Sequence, residues 1–122
     1  MLEKLEIKRR SKIYPQITLN PAQGIFEITG RSLPENTTKF YDSVIDWLVE
    51  YSKDPNEETV FKFKLDYYNS ASARKITDIF IIISKIKNVK IKWYYMKEDE
   101  VMKENGEDFS AIVNIPIDFI EW

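Results

Sequence analysis

Apolar positions recur along this chain with two periods, and the order in which the periods alternate predicts its elements. Gln16-Ile17-Thr18-Leu19 alternates polar and apolar residues, as a half-buried strand does. Asn20-Pro21-Ala22-Gln23-Gly24 has turn chemistry, with Pro fixing one dihedral and Gly free to take positive φ. Ile25 to Thr29 returns as a second strand, so residues 16–29 read as a hairpin. From Thr37 to Tyr51 the period changes. Phe40, Tyr41, Val44, Trp47, Leu48 and Tyr51 fall three and four apart, on one face of an amphipathic helix. Val60 to Tyr68 returns to period two, with Phe61, Phe63, Leu65 and Tyr67 facing one way and Lys62, Lys64 and Asp66 the other.

Asn69-Ser70-Ala71-Ser72 is a helix-start signal, and the helix it opens carries Ala73, Ile76, Ile79, Phe80, Ile83 and Ile86 on one stripe. Lys85, Lys87 and Asn88 close it, and Val89 to Tyr95 alternates as a further strand. The acidic stretch Lys97 to Asp108 reads as helical in part. The apolar tail Ile112 to Ile120, interrupted by Pro116, suits a final edge strand. The order β-β-α-β-α-β-α-β predicts an α/β class, one domain over residues 1–122 with helices on a mixed sheet and right-handed crossovers between parallel neighbours. Residues 1–12, with Lys4, Lys8, Arg9, Arg10 and Lys12, lie outside the pattern and read as a loose basic arm.

Composition narrows the function. A chain of 122 residues suits one core, and 18 Lys+Arg against 20 Asp+Glu leave a net charge of −2. No overall basic balance draws it to nucleic acid or an anionic membrane, so neither is an expected partner. The chain has no Cys and no His, which removes disulfides, thiolate metal sites, cysteine nucleophiles and the commonest general base. The N-terminus has no apolar core of a secretory signal, and the longest aliphatic-aromatic run, Ile79 to Ile83, falls far short of the roughly 20 residues of a membrane span. A cytoplasmic protein without a cofactor is the expectation.

Three constellations carry candidate chemistry. In Tyr67-Tyr68-Asn69-Ser70-Ala71-Ser72-Ala73-Arg74 a strand runs into a helix N-terminus, where a hydroxyl lies beside free N–H groups and the positive end of the helix dipole. A phosphate ester there would be stabilised locally, and its charge can create or abolish a partner contact. The plainer reading is that Asn69 or Ser70 caps the helix. Glu98, Asp99, Glu100, Glu104, Glu107 and Asp108 form an acidic group that could hold Mg²⁺. They lack the spacing and glycine of a calcium loop and read better as a solvated face, so no metal is assigned. Gly30-Arg31-Ser32-Leu33-Pro34-Glu35-Asn36 is either a connector or a recognition loop, with Arg31 a forked donor for carboxylate or phosphate.

Several segments read as words. Asn20-Pro21 with Gly24, Gly30-Arg31-Ser32-Leu33-Pro34-Glu35-Asn36, Phe40-Tyr41, Trp47-Leu48, Leu65 to Ala73, Trp93-Tyr94-Tyr95 and Gly106-Glu107-Asp108-Phe109 together resemble the bacterial SiaC family of regulatory phosphoproteins, from about residue 12 onward. The resemblance implies a STAS-like domain, related in architecture to anti-anti-sigma factors. It implies that the hydroxyl directly after the Asn of the strand–helix junction is a reversible phosphate acceptor, here Ser70, with Ser72 as second choice. Ala71 stands where the family usually has a further hydroxyl.

The implied circuit is non-enzymatic. A dedicated Ser/Thr kinase phosphorylates the protein, a PP2C-type phosphatase reverses this, and the unphosphorylated form activates a diguanylate cyclase in cyclic-di-GMP and biofilm control. The alternative within the same fold is an anti-anti-sigma-like regulator that switches partners by binding an anti-sigma kinase. Tyr68, Asn69, Arg74 and Arg31, Pro34, Glu35 and Asn36 are the expected partner surface.

Overall fold

The computed structural model describes residues 2–122. It consists of one six-stranded sheet with three helices. The strands are β1 (Leu5–Ile7), β2 (Gln16–Asn20), β3 (Ile25–Ser32), β4 (Thr59–Tyr68), β5 (Val89–Tyr95) and β6 (Ile117–Glu121). The helices are α1 (Thr37–Lys53), α2 (Ser70–Ser84) and α3 (Glu100–Val113), each joining one strand to the next. The sheet order is β1-β2-β3-β4-β5-β6. β1, β2 and β3 pair antiparallel, and β3 through β6 pair parallel. The mixed α/β domain is therefore the one the alternating periods predict.

One face of the sheet meets the helices. Ile17, Leu19, Phe26, Ile28, Phe61, Phe63, Leu65, Ile91 and Trp93 are buried there against Tyr41, Val44, Leu48, Ile76, Ile79, Phe80, Ile83 and Phe109. The opposite positions of β4 and β5, among them Lys62, Lys64 and Lys92, stay half-buried on a face no helix covers. Alternation of side chains along each strand produces this division directly.

The structure differs from the sequence reading in four places, the first being that β3 runs on through Ser32, so that Gly30, Arg31 and Ser32 are strand and not loop. The first residues are not a loose arm throughout: Leu5–Ile7 add an edge strand to β2, and the Trp47 indole donates to the Glu3 carbonyl at 2.7 Å. These are non-local contacts that a three-residue strand cannot announce. The C-terminal strand begins at Ile117, because Ile112 and Val113 finish α3 and Asn114 caps it in the left-handed region at φ 55. Finally, Tyr67 does not share the buried side of β4. A register shift at Gly30/Arg31 pairs Gly30 with Leu65 but Arg31 with Tyr67, leaving Asp66 as the extra residue of a bulge. Tyr67 is 49% exposed as a result, and Tyr68 turns toward α3.

Candidate functional site

β4 passes into α2 with only Asn69 between them. Asn69 is extended, at φ −92 and ψ 175, and its Oδ1 accepts from the Ser72 N–H at 2.9 Å. It is the helix cap, which leaves Ser70 as the first helical residue with no capping task. Backbone bonds hold the junction from both sides: Asn69 N–H donates to the Ser32 carbonyl at 3.2 Å, and Ala73 N–H donates to the Asn69 carbonyl at 2.9 Å.

The two serines of this turn have opposite surroundings. Ser70 is exposed, and its hydroxyl makes no hydrogen bond to any described residue. Ser72 is fully buried. Its Oγ donates to the Ser32 carbonyl at 2.9 Å and accepts from the Ser32 hydroxyl at 2.8 Å. Ser32 Oγ in turn pairs with the Tyr41 hydroxyl of α1. Burial pushes the Tyr41 phenol up to about 12, against the smaller downward pull of the Ser32 and Ser72 hydroxyls. Ser72 is thus a structural group that ties α2 to β3 and α1, and the second-choice acceptor is closed to a kinase. Helical phase explains the difference, since position 72 falls one turn before Ile76 on the buried stripe.

A shallow groove of about 320 Å³ opens beside Ser70. Tyr68, Asn69, Ser70 and Ala73 form one wall, and Asn105, Asp108, Phe109 and Ile112 of α3 form the other. Its floor is aromatic, with the Tyr68 and Phe109 ring centroids 6.1 Å apart, and its rim is apolar, with Ile112 55% exposed. Burial pushes the Tyr68 phenol up to about 12, and the Asp108 carboxylate adds to the rise. The groove is therefore amphipathic, with negative charge along its α3 side. It lies at the C-terminal end of the parallel strands, where open α/β sheets place their binding crevices.

Of the expected partner residues, the structure brings Tyr68 and Asn69 together with Ser70, and places exposed Arg74 one turn further along α2. The other four lie elsewhere. Arg31 pairs with Tyr67 on the helix-free side of the sheet, its guanidinium 5.5 Å from the Tyr67 ring centroid and Nε 4.0 Å from Asp66 Oδ1. Pro34 is buried beneath the loop. Glu35 and Asn36 border a separate groove of about 460 Å³ with Arg10, Tyr14 and Lys39. Asn36 Oδ1 caps α1 by accepting from the Lys39 N–H at 3.1 Å.

The acidic residues do not assemble a metal centre: no three carboxylates converge among the described residues. Asp99 caps α3, accepting from the Met102 N–H at 3.0 Å, and Glu100 sits in the first turn of that helix. The α3 wall of the groove is what residue order alone did not reveal. Its signal was Gly106, a glycine inside a helix, whose absent side chain lets α3 lie against Trp93.

Comparison with known proteins agrees with this fold. The family described as "SiaC family regulatory phosphoprotein" matches residues 8–122. An uncharacterised protein of Pseudomonas aeruginosa is 26% identical over 97 residues, covering 76% of this chain and 77% of its own length. Among solved structures, apo-SiaC of P. aeruginosa superposes with a TM-score of 0.86 at 23% identity, covering 98% of this chain and 99% of that one. A chain of the crystal structure of diguanylate cyclase SiaD in complex with its activator SiaC, also from P. aeruginosa, superposes with a TM-score of 0.89 at 24% identity, covering 97% and 99%. At these identities the structural likeness establishes the fold.

Proposed function

Because the chain belongs to the SiaC family of regulatory phosphoproteins, we propose that it is a non-enzymatic switch whose unphosphorylated form docks on and activates a diguanylate cyclase, and whose docking is blocked by phosphate on Ser70. A Ser/Thr kinase supplies that phosphate from ATP, and a PP2C-type phosphatase removes it. The relation of the P. aeruginosa protein SiaC to its cyclase SiaD, as activator in a complex, supports the choice of effector. The observation that carries the reading is the contrast within one helical turn: Ser70 is exposed at the mouth of an amphipathic groove, while Ser72 is buried and fully hydrogen-bonded.

The physics of blockade follows from this placement. Phosphate at the first helical residue is compatible with the fold, because free first-turn N–H groups and the helix dipole favour an anion there. The same phosphate adds nearly two negative charges at the mouth of a groove whose far wall already carries Asp108. A partner that covers Ser70 would have to take that charge out of water, which costs several kcal/mol even where a cation stands beside it.

The test is intact-mass spectrometry after incubation with ATP, Mg²⁺ and lysate of the native host, for the wild type and Ser70→Ala. One added phosphate on the wild type and none on the variant is expected. The unphosphorylated chain should then raise cyclic-di-GMP synthesis by the cyclase it captures, and the phosphorylated chain should not. Phosphate on Ser70→Ala, or equal activation by both forms, overturns the proposal. Capture of an anti-sigma kinase instead of a cyclase would redirect the output to partner switching.

A further inference from the structure

We infer that a phosphate on Ser70 is held by Arg74, so that the modification also withdraws a free cation from the exposed face of α2. The inference rests on the reading of Ser70 as the acceptor. Ser70, Arg74 and Asp78 stand four residues apart on α2, and all three are exposed. Neighbours at that spacing on a helix have Cβ atoms about 5–6 Å apart, within reach of a guanidinium.

Arg74 makes no hydrogen bond and no ion pair within 4.0 Å with any described residue. Its carboxylate neighbour, Asp78, lies on its C-terminal side, the weaker orientation for an acid–base pair on a helix; an anion on residue 70 lies on the stronger side. A phosphate dianion also offers the guanidinium a bidentate, charge-assisted contact. Two further features direct the phosphate toward Arg74. The opposite wall of the groove carries the Asp108 carboxylate, which repels it. The Ser72 N–H is already taken by Asn69, so the first turn has fewer amides to offer. The phosphorylated form thus has its phosphate turned along α2, with Arg74 no longer available to an acidic group of a partner.

The experiment places phosphoserine at residue 70 of the full chain by genetic encoding and follows the ³¹P resonance through a pH titration. Arg74→Gln should raise the second pKa of the phosphate by about 0.3 pH unit or more. Arg74→Lys should restore part of the difference, and Asp108→Asn should lower the pKa by less than Arg74→Gln raises it. Equal titration in the wild type and Arg74→Gln overturns the inference, as does a larger effect of Asp108→Asn, which would put the phosphate in the groove. Encoded phosphoserine needs no kinase. A chain that no host kinase modifies would sink the functional reading and leave this measurement standing.

Discussion

α1 and α2 begin in nearly the same way. Each follows a parallel strand, each is capped by an Asn whose Oδ1 accepts from the N–H three residues on, and each has a hydroxyl at its first helical position, Thr37 and Ser70. Their surroundings differ. The Thr37 hydroxyl is half-buried and donates to the Pro34 carbonyl at 3.3 Å, whereas the Ser70 hydroxyl is exposed and unengaged. The α1 start follows a loop and faces Arg10, Tyr14 and Lys39. The α2 start joins β4 directly, is anchored from beneath by Ser72 and faces an anionic helix wall. Of the two starts, α2 has a free hydroxyl on a rigid support beside a groove, which is what the proposed switch needs and what the α1 start lacks.

The largest expected effect comes from removing the wall that α1 lacks. A Cβ on Gly106 would lie 2.5 Å from Trp93 Cδ1, and the Trp93 indole is fixed by its hydrogen bond to the Met102 carbonyl at 2.8 Å. Gly106→Val should cost about 3 kcal/mol, the upper end of overpacking penalties, measured by urea denaturation. Amide exchange should quicken around Ser70–Ala73 and stay unchanged around Lys39. Equal quickening at both helix starts would show that the two regions are not independent.

Tyr41 joins the regions, since it belongs to α1 yet reaches Ser32 and, through it, Ser72. Its phenol is raised from the ordinary 10.0 to about 12, so the folded state holds the proton more tightly than the unfolded chain. The stability this represents is whole below pH 10 and is lost as pH rises from 10 to about 12. By pH 12 the loss should be about 2 kcal/mol. Tyr41→Phe should flatten the alkaline limb of a stability–pH curve. An unchanged slope would mean that other groups govern it.

Much of this contrast was legible in residue order, because it depends on local patterns. The strand running into Asn-Ser-Ala-Ser marked the start of α2, but the sequence reading began the buried stripe at Ala73 and kept Ser72 as a second-choice acceptor, where the structure buries it one turn before Ile76. The groove was not legible, because it is a meeting of residues about 40 positions apart, and periodicity says which face of α3 is apolar without saying what lies beside it. The position of Arg31 was lost for a different reason. The sequence reading ends the strand at Thr29 and takes Gly30 to Asn36 as a loop, whereas β3 runs on through Ser32 and its alternation puts Arg31 on the side opposite buried Ser32; the bulge at Asp66 then brings Tyr67 beside it. β1 was missed because its pairing with β2 is non-local and its three residues are too few to display a period.

The caps offer a smaller test. The Asn69 bond is partly buried and supports the junction that carries Ser70, while the Asn36 bond is exposed. Loss of an N-cap costs about 0.5–2 kcal/mol. Asn69→Ala should fall in the upper half of that range and Asn36→Ala in the lower half, by thermal or chemical denaturation. The reverse order would mean that the α2 start is supported chiefly by Ser72 and its partners.

The smallest effect tests the comparison most directly. Ser70→Ala removes a hydroxyl with no partner from a position where Asn69 does the capping, so its stability change should lie within about 0.5 kcal/mol of zero. Thr37→Ala removes a hydroxyl that holds the Pro34 carbonyl, and should cost about 0.5–1 kcal/mol. The variant that leaves stability untouched should be the one that loses phosphate uptake in the lysate assay, and the destabilised variant should keep it. That inverse relation is what a hydroxyl reserved for modification implies: it contributes nothing to the fold, so the phosphate can come and go without disturbing the support beneath it. If Ser70→Ala were the more destabilising of the two, Ser70 would have a structural task, and the difference between the two helix starts would lose its functional meaning.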